Sequence, residues 1–168
     1  MIAALALGPE AGYVNLAMYV FQAPISLLGG AIAQVYTSRA PEEHRAGRLG
    51  EFTTGVFGGL LKSGVGPLIF AGIVGPDAFA LIFGNEWRRA GLLAAWMTPW
   101  VVLQFLAFPI SMALPIAARQ KLALKLMSFG LVTRVASVYA ALLIVGGFLA
   151  EAYALSGAVF YGAYLAVI

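Results

Sequence analysis

Long apolar stretches alternate with short charged stretches along this chain, and the charged residues mark where each apolar stretch ends. A helix needs about 20 apolar residues to cross the hydrocarbon core of a bilayer. Five stretches reach or approach that length, and none alternates between apolar and polar residues as the strands of a membrane barrel do. The pattern predicts membrane-spanning helices at residues 13–36, 52–74, 91–117, 126–149 and 153–168.

The composition agrees with a membrane location. Hydrophobic residues make up 62% of the 168 residues and charged residues 10%, whereas soluble domains carry about 25% charged residues. A soluble chain of this size buries too little of its surface to hide so much apolar area. We therefore expect an all-α, polytopic membrane helical bundle. Residues 1–12 read as the tail of an apolar segment, and the last apolar stretch stops at Ile168 without a cationic flank. We therefore also expect a piece of a longer membrane protein, cut at both ends.

Side chains typical of catalytic and metal sites are scarce. The chain has no cysteine and a single histidine, His44, which lies in a charged loop. Disulfides, thiolate metal sites and histidine clusters are therefore excluded. We expect no enzyme activity, no catalytic residue, no metal and no cofactor. The net charge of +3 reflects topology at the membrane edges and does not indicate a nucleic-acid partner.

The basic residues predict the orientation of the bundle. If every stretch crosses the membrane, the loops at residues 37–51 and 118–125 lie on the same side. Cationic residues next to the spans favour the cytoplasm, and these two loops hold six of them against two on the opposite side. The six are Arg39, Arg45, Arg48, Arg119, Lys121 and Lys125, and the two are Arg88 and Arg89. We therefore expect both loops to be cytoplasmic.

Two short helices outside the membrane are also predicted. Pro41 can begin one in the cytoplasmic loop, because proline is favoured in the first turn of a helix. The second is predicted on the opposite side, where the sequence Gly75-Pro76-Asp77 is a turn and helix-start signal and Gly84 ends a short apolar stretch.

Two cations fall where a cation is costly. Lys62 lies roughly 16 Å into the second stretch and Arg134 roughly 13 Å into the fourth, at 1.5 Å per residue. A charge at the centre of a span costs at least about 2.5–3.5 kcal/mol, so it should face protein or water. Either side chain can extend back toward the interface, or it can line an aqueous cavity that receives an anion. No carboxylate is predicted at a membrane centre to pair with them.

Amides and prolines interrupt the same stretches. Gln22 and Gln104 are polar groups within spans, which either make helix–helix hydrogen bonds or bind a substrate. Pro24, Pro67 and Pro109 each remove a backbone hydrogen bond and are predicted to bend their helices. Bends in several spans are typical of transporters, in which broken helices line the substrate route.

One pattern occurs twice. "PIS", followed by apolar residues and a terminal glutamine, appears at residues 24–34 and again at residues 109–120. The two copies are either a chance similarity between apolar helices or two helices with similar bends.

Two longer stretches carry a family resemblance. "GPEAGYVNLAMYVFQAPISLLGGAIAQVYTSRA" begins at residue 8, and "GPDAFALIFGNEWRRAGLLAAWMTPWVVLQFLAFPISMALPIAARQ" begins at residue 75. In the second, a Gly-Pro turn, an apolar patch with Phe-Gly, a tryptophan, an Ala-Gly pair and a later Pro-x-Ser follow in order. The chain from Gly8 onward resembles bacterial polysaccharide and oligosaccharide flippases, the O-antigen-flippase-like branch of the multidrug/oligosaccharidyl-lipid/polysaccharide exporter superfamily.

The resemblance implies a fold and a function. Such transporters have two six-helix bundles, related by a pseudo-twofold axis, and move lipid-linked saccharides across the bacterial inner membrane by alternating access. This chain would supply helices eight to eleven and most of helix twelve, in the C-terminal bundle. Its partners would be the lipid-linked saccharide, membrane lipid and the N-terminal bundle. The family offers no invariant catalytic residue.

The flippase hypothesis competes with others. It assigns Lys62, Arg134, Gln22 and Gln104 to substrate binding, with the cations facing pyrophosphate or sugar acids through charge-assisted bonds. A drug/cation antiporter of the same superfamily is an alternative, although it needs a buried carboxylate that the sequence pattern does not predict. A structural membrane protein without transport activity is the other alternative.

Overall fold

The computed structural model describes residues 10–144 and 149–168. Those residues form helices and turns, without any strand in the described ranges. Four helical stretches are long and apolar enough to cross a membrane: Ala11–Arg45, Leu49–Phe83, Asn85–Ala107 and Gln120–Ala141. The prediction of an all-α, polytopic helical bundle is confirmed, and the protein is membrane-embedded.

The helices, numbered in chain order, are interrupted in two places. The first interruption is a π-helical turn, Ile25–Gly29, between α1 and α2. The second is a non-helical turn at residues 108–112, between α4 and α5. A 3-10 turn, Asn85–Trp87, precedes α4. The helices are α1 Glu10–Pro24, α2 Gly30–Arg45, α3 Leu49–Phe83, α4 Arg88–Ala107, α5 Ala113–Ile116, α6 Gln120–Ile144 and α7 Leu149–Val167.

The helix bounds differ from the predicted spans in informative ways. The stretch at 91–117 is not one helix, because α4 ends at Ala107 and Pro109 lies in the following turn. The stretch at 153–168 lies in α7 except for its last residue, and α7 begins four residues earlier, at Leu149. The end of the stretch at 126–149 falls partly on residues 145–148, outside the described residues.

Neither predicted short helix is separate, so both predictions are wrong. Pro41 lies inside α2 and Pro76 lies inside α3. A proline inside a helix costs about 3 kcal/mol through its missing hydrogen bond and its ring. Tertiary packing offsets that cost here: Ala40 is fully buried in a cluster with Ile110, and the backbone at Pro76 packs against Gly91.

The helices run alternately up and down. Gly64 faces Phe105, and Gly75 faces Gly91, so α3 and α4 are antiparallel. Arg89 contacts Glu151 and Trp100 contacts Gly157, so α4 and α7 are parallel. Gly130 faces Phe160 and Arg134 contacts Tyr153, so α6 is antiparallel to α7. Tyr13 contacts Trp87 and Gly29 faces Phe108, so α1 is parallel to α4.

A cluster near the end of α2 brings the two basic loops to one end of the bundle. Tyr36 and Ala40 are fully buried and pack with Ile110 and Ala113. The Thr53 hydroxyl donates its one hydrogen to the carbonyl of Leu49. In the 2.7 Å hydrogen bond between Tyr36 and Thr53, the Tyr36 hydroxyl is therefore the donor. This arrangement agrees with the prediction that residues 37–51 and 118–125 lie on the same side.

Helix α4 is at the centre of the bundle. In the candidate span Asn85–Ala107, which contains α4, an apolar stretch of 18 residues is 61% buried, against 22–24% in the other three candidate spans. Leu93, Met97, Val101 and Phe105 recur every four residues and are all buried, as expected for one face of a packed helix. The outer helices instead expose large apolar side chains, which in a membrane contact lipid tails.

Glycine permits a close contact between the backbones of α3 and α4. An added Cβ at Gly91 would lie 2.5 Å from the carbonyl oxygen of Gly75, a distance that real Cβ atoms do not reach. The backbones therefore touch near the end of α3 and the start of α4, as small residues allow in membrane helices.

The two copies of the repeated pattern pack against each other. The first is interrupted by the π-helical turn that follows Pro24, and the second by the turn that contains Pro109. An added Cβ at Gly29 would lie 3.0 Å from the ring of Phe108, so the irregular segments meet. Both copies thus fall at breaks in their helices, as the interpretation of similar bends requires.

Candidate functional site

A small cleft lies between α1, the π-helical turn and α4. Each wall uses residues at positions i, i+3, i+4 and i+7, which share one face of a helix. We name this space the amide cleft, because Gln22 lies on one wall and Gln104 on the other. The walls are Met18, Phe21, Gln22 and Ile25 on one side and Met97, Trp100, Val101 and Gln104 on the other.

The amide cleft is narrow, and one of its wall residues has an unsatisfied donor. Its volume is about 60 Å³, which holds a few water molecules but is far below the roughly 300 Å³ at the lower end of ligand pockets. The indole Nε1 of Trp100 is buried and finds no acceptor among the described residues. A buried N–H without a partner is costly, but this atom is not exposed to the open space of the cleft.

Arg134 lies over the rings of Trp100 and Tyr153. Its guanidinium carbon is 4.8 Å from the Trp100 ring centroid and 4.4 Å from that of Tyr153. Both distances are within the range of a cation–π attraction, which is worth about 0.5–2 kcal/mol depending on solvation. The guanidinium of Arg134 makes no hydrogen bond or ion pair with the residues that the structure describes, so its N–H groups keep their capacity for an anion.

Helix α7 holds Trp100 in place. The Tyr153 ring meets the Trp100 ring edge to face, with centroids 5.3 Å apart. An added Cβ at Gly157 would lie 2.5 Å from the indole. The glycine therefore creates the space that the indole occupies. Trp100 links the amide cleft to Arg134.

Lys62 lies apart from this cluster. It is exposed on α3, two residues from buried Leu60 and two from buried Gly64. At about 100° per residue, this spacing places Lys62 on the face opposite to the one packed on α4. Within residues 10–144 and 149–168 its ammonium group has no hydrogen bond or ion pair. The structure thus groups Gln22, Gln104 and Arg134, but not Lys62.

The three predicted kink prolines occupy different environments. Pro24 is the last residue of α1, directly before the π-helical turn. Pro109 lies in the turn after α4, and the helix has already ended. Pro67 lies inside α3, which continues without interruption. Irregular backbone therefore accompanies Pro24 and Pro109, and it lies at the end of both walls of the amide cleft.

A buried ion pair was missed by the sequence reasoning. Glu151, in the first turn of α7, is 6% exposed, and its Oε1 accepts a 2.9 Å hydrogen bond from Arg89. Its Oε2 is buried without a donor among the described residues. The position looked like the end of a span, although apolar residues on both sides of Glu151 were a signal of burial. Trp100 and Tyr153 were also missed, because aromatic residues in a span are usually packing residues.

The fold and site define an integral-membrane helical bundle with a polar cluster beside its central helix. Comparisons with protein-family models, with curated proteins and with solved structures found no match. The family resemblance therefore remains an inference from the sequence.

Proposed function

We propose that this protein translocates a lipid-linked saccharide across the bacterial inner membrane for the synthesis of cell-surface polysaccharide. In this proposal the chain is part of the C-terminal bundle of a two-bundle transporter, with residues 37–51 and 118–125 in the cytoplasm. An N-terminal bundle is its partner, and alternating access is its mechanism.

The observation that carries the proposal is the cluster around Trp100. The amides of Gln22 and Gln104, which line one cleft, donate to and accept from sugar hydroxyl groups. The guanidinium of Arg134, which has no acidic partner among the described residues, binds phosphate with paired N–H groups. The cluster thus combines hydrogen-bonding groups for a saccharide with a cation for its pyrophosphate.

Irregular backbone beside the cleft supports an opening motion. Ile25 is both a wall residue and the first residue of the π-helical turn. Gln104 lies three residues before α4 ends at Ala107. π-helical turns are frequent at functional sites, and hinges are a few loop or helix-end positions that absorb backbone rotation. Rotation at these two points would widen the cleft enough to admit a headgroup.

The experiment measures surface polysaccharide in the natural host, with each variant replacing the chromosomal copy. The variants are Arg134→Ala and the double variant Gln22→Leu/Gln104→Leu, and the matched control is Gln34→Leu, an exposed amide of α2 outside the cleft. We expect at least a roughly tenfold loss of export for Arg134→Ala, since one charge-assisted bond is worth about 1.5–3 kcal/mol. Wild-type export by both test variants, at unchanged protein levels, would exclude the cluster as the binding site.

We still predict that Lys62 contacts the anionic headgroup. Its side chain lies on the face of α3 that points away from α4. Lys62→Ala in the same assay tests that prediction independently of the amide cleft. Reduced export at normal protein levels supports the contact, and unchanged export removes Lys62 from the site.

One observation favours the antiporter alternative. Buried Glu151, paired with Arg89, is a carboxylate of the kind that exchange of a proton for a cation needs. An antiporter predicts that Glu151→Gln raises the accumulation of a fluorescent organic cation in the host and leaves surface polysaccharide unchanged. A flippase predicts no change in accumulation.

A further inference from the structure

Helix α6 begins with a cluster of cations that has no acidic counterpart. Arg119 directly precedes the helix, and Lys121 and Lys125 lie in its first two turns. All three residues are exposed, and none makes an ion pair within the part of the chain that the structure describes. The sequence has no aspartate or glutamate between Glu86 and Glu151, so neither α6 nor the segment before it carries an acid that could neutralise these cations.

The other basic segment at this end of the bundle is different. Residues 37–51 also hold three arginines, but they hold three glutamates as well, and Arg48 pairs with Glu43 at 3.0 Å. With histidine neutral, the formal charge is therefore zero for residues 37–51 and +3 for residues 118–125. Membrane topology depends on cations and hardly at all on acidic residues. The lack of acids beside α6 is thus a property that topology does not require.

The two lysines point away from the bundle. They are four residues apart, so they share one face of α6 and lie about 6 Å apart along its axis. The opposite face packs on α7, since Ala123 and Leu126 lie in a buried cluster with Tyr164. At about 100° per residue, Ala123 and Leu126 lie across the helix from Lys121. Lys121 and Lys125 are therefore on the outer surface of the described bundle.

An apolar surface continues this outer face into the bilayer. Val132 lies seven residues after Lys125, so it shares the face and lies about 10 Å further along the axis. Leu124 and Leu131 flank this line, and all three apolar side chains are exposed. One leaflet contributes about 15 Å of hydrocarbon. We name this surface, formed by Lys121, Leu124, Lys125, Leu131 and Val132, the cationic face.

We propose that the cationic face binds a phospholipid with a net negative headgroup, such as phosphatidylglycerol. The phosphate lies between the ammonium groups of Lys121 and Lys125, and one acyl chain lies along Leu131 and Val132. Arg119 adds to the positive potential. A zwitterionic headgroup is attracted less, because its own ammonium group is repelled by the lysines. A soluble anion gains the charge contact but leaves the apolar part of the face uncovered.

The test uses a fluorophore and brominated lipids. The chain has no cysteine, so the variant Ser128→Cys carries the fluorophore on the cationic face, three residues after Lys125 at an exposed position. The protein is reconstituted in phosphatidylcholine bilayers that contain a fixed fraction of one brominated lipid, either phosphatidylglycerol or phosphatidylcholine. From the quenching, we expect a relative binding constant at least about fivefold higher for phosphatidylglycerol, the worth of one cation near an anionic surface.

Two double variants that remove the same charge separate the cationic face from the overall charge of the protein. Lys121→Gln/Lys125→Gln should reduce the preference to less than about twofold. Arg39→Gln/Arg45→Gln, in the neutral segment, should leave the preference unchanged. Lys121→Arg/Lys125→Arg keeps both charges and should keep the preference. Raising the salt from about 0.1 M to about 1 M should weaken the preference, because charges at the surface are screened.

Equal binding of the two brominated lipids would overturn the proposal. A preference that survives Lys121→Gln/Lys125→Gln, or that falls equally in Arg39→Gln/Arg45→Gln, would overturn it too, since the total charge would then be its cause. Displacement of brominated phosphatidylglycerol by millimolar glycerol phosphate would also contradict it, because the face would then bind a soluble anion. Since the readout is lipid binding, the result does not depend on whether the protein transports a saccharide.

Discussion

Replacing Glu151 with leucine tests how much the buried ion pair stabilises the bundle. In the native pair the two groups are 2.9 Å apart, and the side chains of Arg89 and Glu151 are 34% and 8% exposed. The change removes the carboxylate and leaves the guanidinium of Arg89 without this partner. Breaking a buried pair by removing one partner costs about 3–5 kcal/mol. Arg89 is partly solvated and makes a further contact, so we expect a loss of about 2–3 kcal/mol.

The neighbouring pair of Arg88 and Asp77 is a matched control. Its N···O distance is also 2.9 Å, but its side chains are 57% and 75% exposed. An exposed pair contributes about 0.2–1 kcal/mol and is screened by salt. Asp77→Leu should therefore cost at most about 1 kcal/mol, and its effect should shrink at high salt.

The free energy of unfolding is measured for both variants by titration from mild detergent micelles into dodecyl sulfate, at low and high salt. Equal losses for Glu151→Leu and Asp77→Leu would refute the reasoning, because the two pairs differ chiefly in burial. A loss for Glu151→Leu that disappears at high salt would refute it as well, since a buried pair is poorly screened.

Three further changes probe the packing in the same unfolding assay. Gly91→Leu should cost about 2 kcal/mol or more, because any Cβ collides with the carbonyl of Gly75; a neutral result would mean that α3 and α4 do not touch there. Gly157→Leu should displace the indole of Trp100 and lower the free energy of unfolding by about 1–3 kcal/mol. It should also shift the tryptophan fluorescence emission, and an unchanged emission spectrum would contradict the contact between Gly157 and Trp100. Tyr36→Phe removes the 2.7 Å hydrogen bond to Thr53 and should cost about 1 kcal/mol, whereas Tyr19→Phe, at an exposed tyrosine, should cost almost nothing; equal costs would contradict the buried bond.

The membrane helices were predictable because hydropathy and length are local properties of the chain. The end of α2 and the end of α3 could not be predicted from local properties. Pro41 and Pro76 are helix-start signals by their local sequence, yet both lie inside helices. What carries α3 through Pro76 is the contact between Gly75 and Gly91, which are far apart in the sequence.

The individual residues of the candidate site could be predicted from the sequence, but their meeting at one place in the fold could not. Gln22, Gln104 and Arg134 stand out as polar groups in apolar stretches. Their meeting around Trp100 depends on α1 lying parallel to α4, which no local pattern encodes. Lys62 satisfied the same local criterion and lies on another face of the bundle.

The pair of Glu151 and Arg89 was missed for a related reason. The two residues are 62 positions apart, and each stands at the end of an apolar stretch, where a charge is normally solvated. Their pairing, and the burial of Glu151, follow from the parallel packing of α4 and α7, which brings both helix starts together.

The most direct test of the proposed function is the flipping of a fluorescent lipid-linked saccharide by the natural protein, purified and reconstituted in liposomes. The rate is followed by a membrane-impermeant reductant that destroys only outward-facing fluorophores. We predict faster flipping than in protein-free liposomes and at least a roughly tenfold lower rate for Arg134→Ala with its helical content intact. A wild-type rate equal to that of protein-free liposomes, or an Arg134→Ala rate equal to the wild type, would contradict the account.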